Sequence, residues 1–559
     1  MTVVGLDSAT LPTLFAARAA KSPNAPAYAG FEHGAWRRFT WAEAQEEVNR
    51  MREGLARAGL NPGDRVGLCA YNSPHWVFAD IAALSLGLTV VPLFFNDRPE
   101  NTAYCLKDAG VRLLLVDRPP APEVLACGLK AILGLKEVPG VVSWDQGLSE
   151  RAARAFVDES CPLATIVYTS GTTGRPKGVM LSHANIMANV AALMEAIPEV
   201  AAGEHRFLSF LPLSHMFERT VGQYVAMAMG AETIFSRGIA ELSADLKVAR
   251  PTILVSVPKI FERSYARIQE SLKDAPFKAR LVAHTADLGF RLRRGALDWT
   301  ERLEARVTDL LVARSIRRRL GGRLRFVFLG GAPAAPSLLS FFTGMGLHFL
   351  IGYGLTEASP VITCYRLHDY DLRSVGRPLV GLELRFVNDE LWVRGPSVMQ
   401  GYWGQPQATS EVLDSEGFLH TGDLGRLQDG LLYLTGRAKD IIVLSNGEKV
   451  APADVEQAIL EDLVFEQVLI VGEGRGTLAL LTHSAVVDEQ ALRERANAQL
   501  HAFPGYVRVR HVLRVQEPWT IENGFLTPTL KVRRQQVEQH YRAQIDALYR
   551  KSDSVSARP

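Results

Sequence analysis

At 559 residues with 47% hydrophobic content, the chain exceeds what one hydrophobic core organises, so two or more domains are expected. Lys plus Arg (62) nearly balance Asp plus Glu (60), which removes any electrostatic case for a nucleic-acid partner. Cys69, Cys105, Cys127, Cys161 and Cys364 are odd in number, scattered and never spaced C-x-x-C, which argues against a disulfide framework or a zinc site. The first residues, MTVVGLDSATLPTLF, lack a basic leader, and no apolar run approaches the roughly 18 residues of a spanning helix. A cytoplasmic protein, neither exported nor transmembrane, is the expectation.

Thr40-Trp41-Ala42-Glu43 has the order of a capping box heading an amphipathic helix from Ala42 to Ala58, closed by Gly59 and Pro62. A strand (Arg65 to Ala70), a helix (Ser73 to Gly87) and a strand (Thr89 to Pro92) follow, the spacing of a parallel α/β unit that recurs at Arg112 to Asp117 and Thr165 to Tyr168. The stretch Asp158 to Pro162 reads as the lead-in to the last of these strands.

That strand opens into YTSGTTGRPKGVMLSH (168 to 183). Gly171, Gly174 and Gly178 let backbone N–H groups approach a polyphosphate, Thr169, Ser170, Thr172 and Thr173 add hydroxyls, and Lys177 offsets anionic charge. The spacing is not that of a Walker loop, because Pro176 precedes the lysine and Gly178 follows it. A plain surface turn is the bland alternative, which the density of glycines and hydroxyls opposes. A helix is expected from Leu181 to Glu195, with Ser182 and His183 read as a cap and a surface histidine or, alternatively, as substrate contacts.

Residues 207 to 231 read as an apolar strand that breaks at Pro212 and restarts as a largely apolar helix, with His215 at the break. A histidine beside apolar residues is more often a satisfied core residue than a catalytic one. Fourteen Lys and Arg side chains lie between Lys273 and Arg325 among Leu, Phe and Trp299 at helical intervals. They fit solvated, salt-bridged helices or, alternatively, a basic amphipathic face on anionic membrane involving Arg291, Arg293 and Arg294 or the cluster Arg317-Arg318-Arg319.

Two strands, Leu324 to Leu329 and Leu347 to Gly352, end in glycine turns, Gly330-Gly331 and Tyr353-Gly354-Leu355-Thr356-Glu357, at what is usually the ligand edge of an open α/β sheet. Glu357 suits Mg²⁺, which takes one or two carboxylates plus phosphate oxygens. Short strands after Gly376 suggest a small β-subdomain, FLHTGDLG offers Asp423, and Asn446-Gly447 is a hairpin turn. The last region reads as mixed, with strands Val468 to Val471 and Leu478 to Thr482 and helices Asp488 to Leu500 and Val532 to Arg550.

As an ordered set these motifs resemble the adenylate-forming, AMP-producing ligase superfamily across roughly residues 10 to 540. The string PLSHMFER with ILVSVPKIFERSYARI, and TPTLK in place of the S-G-K of many short-chain relatives, is similar in particular to long-chain fatty-acid CoA ligases. The resemblance implies an α/β fold: a large N-terminal domain of α/β subdomains plus a small β-subdomain (1–436), followed by a small mobile α+β C-terminal domain (437–559). It implies that the loop 169–177 holds the phosphates of ATP, with Thr172 and Glu357 at Mg²⁺. Gly330 and Gly331 would back the adenine, Tyr353 beside Gly354 would stack on it, and Thr356 and Glu357 would face the α-phosphate. Asp423 and Arg437 would bind ribose, Lys439 would be the hinge, and Gly447 would enter the CoA side. His215 would stand near the acyl carboxylate and Lys531 would catalyse adenylation. The implied reaction converts a long-chain fatty acid, ATP and CoA to acyl-CoA through acyl-AMP. A fatty acyl-AMP ligase loading a carrier protein is the alternative, and chain-length preference and oligomeric state stay open.

Overall fold

The structure, a computed structural model, describes residues 3–145, 163–169, 175–462, 464–527 and 531–556. Two large sheets carry the N-terminal region. In one, Arg65–Cys69 pairs in parallel with Thr89–Pro92 and with Val111–Val116, and Thr89–Pro92 pairs in parallel with Leu163–Thr169, as the strand-helix-strand spacing predicts. Their near-continuous apolar sequences fit strands covered on both faces. In the other, Arg206–Ser209, Ile253–Ser256, Phe326–Leu329 and His348–Gly354 run parallel side by side; Gly330-Gly331 turns at the end of its strand, but the turn expected at Tyr353-Gly354 is corrected, because both residues continue the strand and pair with Val361–Cys364.

The capping box at Thr40 is present: the Thr40 hydroxyl accepts from the Glu43 N–H, and Glu43 accepts from the Thr40 N–H. Three local expectations are corrected. Lys177–Ser182 is a strand, antiparallel to Leu163–Thr169, where the helix was expected to begin at Leu181. The helix starts only at His183, because Ser182 and Asn185 form a second capping box. In the C-terminal region, Val509–Arg514 adds a strand parallel to Leu478–His483, its alternation diluted by two arginines and a histidine. The expected final helix is two, Arg534–His540 and Arg542–Ser556.

After Pro212 the chain forms a π-helix, Glu218–Val225, before an α-turn at Ala226–Met229. Its buried polar residues explain why it reads only partly apolar. The Arg219 guanidinium pairs with Asp80 and donates to the Thr165 hydroxyl at 2.8 Å, while the Tyr224 hydroxyl donates to Asp80 Oδ2 at 2.7 Å. Both charges are fully buried, which ties the π-helix to the helix Pro74–Ser85 and to the strand that precedes the glycine loop. Asp80→Ala strands a buried guanidinium and should cost about 3–5 kcal/mol in urea unfolding, whereas Asp80→Leu with Arg219→Met should recover most of it. Equal losses in the single and double variants would contradict this.

A four-stranded antiparallel sheet, Glu383–Val387, Glu390–Arg394, Leu419–Gln428 and Leu431–Arg437, forms the small β-subdomain. Beyond it Ile442–Val443 and Lys449–Val450 pair across the Asn446-Gly447 turn, and a three-stranded sheet with its own hydrophobic core follows. Among the described residues Cys69, Cys105, Cys127 and Cys364 are free thiols, and no helix is long and apolar enough to cross a membrane.

Several arginines of the basic stretch face protein. Arg317 bonds Asp309 and the Met345 carbonyl, Arg291 pairs with Glu301 and Asp287, and Arg293 donates to the Thr343 carbonyl. Three of the six arginines at 291–294 and 317–319 are thus engaged by protein groups, the arrangement of salt-bridged helices, and these three are not available to lipid.

Candidate active site

The glycine loop connects two antiparallel strands. Thr169 ends the first and is paired in register with Lys177, which begins the second. Ser170, Gly171, Thr172, Thr173 and Gly174 lie outside the described residues. The Lys177 ammonium sits 5.0 Å from the centre of the Tyr402 ring, and the Tyr402 hydroxyl donates to Glu357 Oε1 at 2.9 Å. Tyr402 thus joins the end of the loop to the acidic residue of the YGLTE turn. Sequence reasoning missed it, since nothing in GYWG signals a partner 45 residues back.

Gly330, Gly331 and Gly354 differ in what they require. Gly331 has φ +82°, and a Cβ there would meet only Val257 at 3.6 Å, so the constraint is backbone conformation. At Gly330 a Cβ would press on the Phe217 ring at 3.1 Å and the Gly352 carbonyl at 3.2 Å. Gly354 is a packing requirement, because a Cβ would fall 1.8 Å from the Pro360 carbonyl oxygen. Thr356 is buried in a single 3₁₀ turn with Glu357.

At the rim of the β-subdomain, the buried Asp423 accepts from the Tyr353 hydroxyl at 2.6 Å and from Arg437 Nε at 2.7 Å. Asp423 and Arg437 face each other across two strands, so sheet register places the pair. Burial and the Asp423 charge raise the Tyr353 pKa well above its ordinary value, keeping it a hydrogen-bond donor.

Lys531 comes from the far end of the sequence. Its N–H donates to the Thr527 hydroxyl at 3.0 Å and its carbonyl accepts from the Thr527 N–H at 2.8 Å, a turn closed by bridging of Leu526 to Val532. Its side chain reaches solvent yet is crowded by protein. Desolvation and the Arg437 guanidinium lower its pKa, opposed by the carboxylates of Asp423 and Glu357. The Lys531 charge is also felt at His215, whose burial, followed by that charge, pushes its pKa down to about 4. His215 Nδ1 accepts from the Phe217 N–H at 3.2 Å, so the neutral ring carries its proton on Nε2 and presents a donor.

The fold therefore gathers His215, Glu357, Asp423, Arg437 and Lys531 from five separated points in the chain. Lys439 and Gly447 are not part of this cluster; each lies exposed in a turn, at 438–440 and 445–447. His183, expected at the surface, is buried, and its Nδ1 accepts from the Leu11 N–H at 3.4 Å, which makes it a packing residue.

A further buried group is Glu218, three residues after His215. Among the described residues neither carboxylate oxygen is within hydrogen-bond geometry of a partner, and burial, opposed by the nearby Ser209 hydroxyl, raises its pKa to about 8. At this one site the folded state binds the proton more tightly than the unfolded state from about pH 4.5 to about 8, so the Glu218 contribution to stability should fall by about 1.4 kcal/mol per pH unit as pH rises through that window. Glu218→Gln should melt higher than the parent at pH 8 and nearly level with it at pH 4.5; a gap independent of pH would contradict the assignment.

Comparison with known proteins is decisive at the level of family. Residues 15–403 match the AMP-binding enzyme family and residues 439–553 match its C-terminal domain. The chain is an AMP-binding enzyme. This AMP-binding enzyme is 31% identical to long-chain-fatty-acid–CoA ligase FadD15 of Mycobacterium tuberculosis, over 93% of each chain. It is 30% identical to long-chain-fatty-acid–CoA ligase 1 of Homo sapiens, over 87% of this chain and 78% of that protein. Its fold is that of o-succinylbenzoate CoA synthetase from Bacillus subtilis in complex with an acyl-adenylate (TM-score 0.73, 21% identity, 94% and 98% of the two chains). It is also that of the A domain of a carboxylic acid reductase from Segniliparus rugosus in complex with AMP and a carboxylic acid (0.76, 22%, 98% and 96%).

Proposed function

We propose that this AMP-binding enzyme activates long-chain fatty acids to acyl-CoA through an acyl-adenylate, consuming ATP and releasing AMP and pyrophosphate. The observation that carries this reading is the placement of Lys531 among Glu357, Asp423 and Arg437 and within electrostatic reach of His215. Attack of a carboxylate on an α-phosphate brings two anions together, and an ammonium held between them lowers that repulsion. The lowered Lys531 pKa suits a group that stays cationic while only partly solvated.

In this reading Asp423 accepts from the ribose hydroxyls and Arg437 holds its carboxylate in place. Tyr353 lies along the adenine, with Gly330 and Gly331 leaving room behind it. The donor on His215 Nε2 orients the acyl carboxylate. Thr169 and Lys177 set the ends of the phosphate loop. Mg²⁺, when bound, spreads the phosphate charge; Glu357, with Thr172, would hold it. A single half-buried carboxylate kept in place by Tyr402 fits an ion that draws its other ligands from phosphate and water, and no cluster of three ligating side chains occurs among the described residues. The phenyl ring of Phe217 and the side chain of Val257, against the glycine pair, suit an apolar acyl group.

The division into residues 1–436 and 437–559, with Lys439 as hinge, belongs to the same reading. Removing Lys531 from the cluster by rotation would open room for CoA, and the exposed Gly447 turn is free to approach. The long-chain assignment draws on the named relatives at about 30% identity. The test is ATP–pyrophosphate exchange across a panel of carboxylic acids, followed by supply of free CoA. Exchange with long-chain acids and thioester formation from free CoA are expected. Adenylate that accumulates in the presence of CoA and is consumed only by a carrier protein would replace this reading with the carrier-loading one.

A further inference from the structure

The helices of the basic stretch leave an apolar face uncovered. Trp299, Leu303, Val307, Leu310 and Leu311, on the continuous run formed by Trp299–Thr308 and the π-turn Asp309–Ala313, are between 49% and 78% exposed. Spaced i, i+4, i+8, i+11 and i+12, they form one stripe, while Ala305, Thr308 and Ala313 on the other side are buried. The neighbouring helix Pro276–Arg293 extends it. Arg291 pairs with Glu301 and His284 with Glu304, which sets the two helices antiparallel. Phe277, seven residues before His284 and therefore on the same helix face, is 80% exposed.

Charge around the stripe is one-sided. The acids on this run, Glu301, Glu304 and Asp309, are engaged by Arg291, His284 and Arg317. Arg302, Arg306, Arg314 and Arg318 are exposed and meet no carboxylate among the described residues; Arg302 donates to the Leu297 carbonyl. Arg302 and Arg306 flank the stripe one step round the helix. Asp298, which caps the run and accepts from the Thr300 hydroxyl and the Glu301 N–H, is one carboxylate against four arginines, so two copies of this face would meet with excess positive charge and self-association is disfavoured. An anionic bilayer surface satisfies both halves, taking the aromatic and aliphatic groups below the headgroups and the guanidinium groups against lipid phosphates.

We propose that the face formed by Trp299, Leu303, Val307, Leu310, Leu311 and Phe277 is a membrane-docking surface specific for anionic lipid, oriented by Arg302, Arg306, Arg314 and Arg318. It differs from a purely electrostatic contact in needing both the stripe and its arginines. The experiment is flotation of the full chain with vesicles of phosphatidylglycerol and phosphatidylcholine, or of phosphatidylcholine alone, at low and high salt. Binding is expected on the anionic vesicles only and should weaken with salt. Arg306→Gln with Arg314→Gln should weaken it about thirtyfold, and Trp299→Ser with Leu311→Ser about tenfold or more. All four positions are exposed and remote from the candidate active-site residues, so ATP–pyrophosphate exchange in lipid-free buffer should be unchanged in both double variants. The proposal is overturned by absence of flotation on anionic vesicles or by binding indifferent to these substitutions. It is equally overturned if sedimentation velocity finds a dimer that the Trp299→Ser/Leu311→Ser chain no longer forms.

Discussion

Lys531→Ala is expected to lose acyl-adenylate formation by about 10²-fold or more while retaining conversion of supplied acyl-AMP and CoA to the thioester. The asymmetry follows from where the lysine stands. Its ammonium lies within electrostatic reach of the Asp423 and Glu357 carboxylates, which the proposed reading assigns to the nucleotide, and in that reading it opposes charge repulsion that exists only while carboxylate and phosphate approach each other. Once the adenylate exists that repulsion is spent, and thioester formation has no need of the contact. ATP–pyrophosphate exchange reads the first step, and acyl-AMP consumption with CoA reads the second. A loss of the same size in both steps would mean that Lys531 supports the fold or the whole site. Lys531→Arg separates charge from geometry: it restores the charge but not the compact point contact, so recovery should be partial.

The second large effect is selection by chain length. Each methylene taken from water into an apolar channel contributes about 0.8 kcal/mol, so four further carbons could add roughly 3 kcal/mol where the channel accommodates them. Acids of about 14 to 18 carbons should then exceed those of about 4 to 6 by orders of magnitude in kcat/KM. The same assay on Phe217→Ala examines whether the ring lying against Gly330 belongs to that channel, in which case the long-chain advantage should shrink more than activity toward short acids. A preference for acetate or for an aromatic acid would remove the long-chain assignment and leave adenylation chemistry in place.

Much of this protein was legible in its sequence because the signals were local. The capping box at Thr40, the parallel unit through Arg65–Cys69 and Thr89–Pro92, the glycine turn after Phe326–Leu329, and the Asn446-Gly447 hairpin each depend on residues within a few positions of one another. Family membership was legible for a related reason, since the motifs that carry the resemblance are short strings in a fixed order along the chain. What the sequence could not specify are contacts whose partners lie far apart in the chain. Nothing local marks Tyr402 as the link between Lys177 and Glu357, or Asp80 as the counter-charge of Arg219, because each pairing is made by strands and helices meeting in three dimensions. The state of His215 and Glu218 was equally hidden: burial, a tertiary property, makes the first a neutral donor and the second a protonated acid near neutral pH. Sequence showed a run of arginines between Lys273 and Arg325, but only packing decided which of them are tied to Asp309, Glu301 or main-chain carbonyls and which stand free beside an exposed apolar stripe. Helical spacing fixes which side chains share a face, whereas the neighbouring helices decide whether that face is covered.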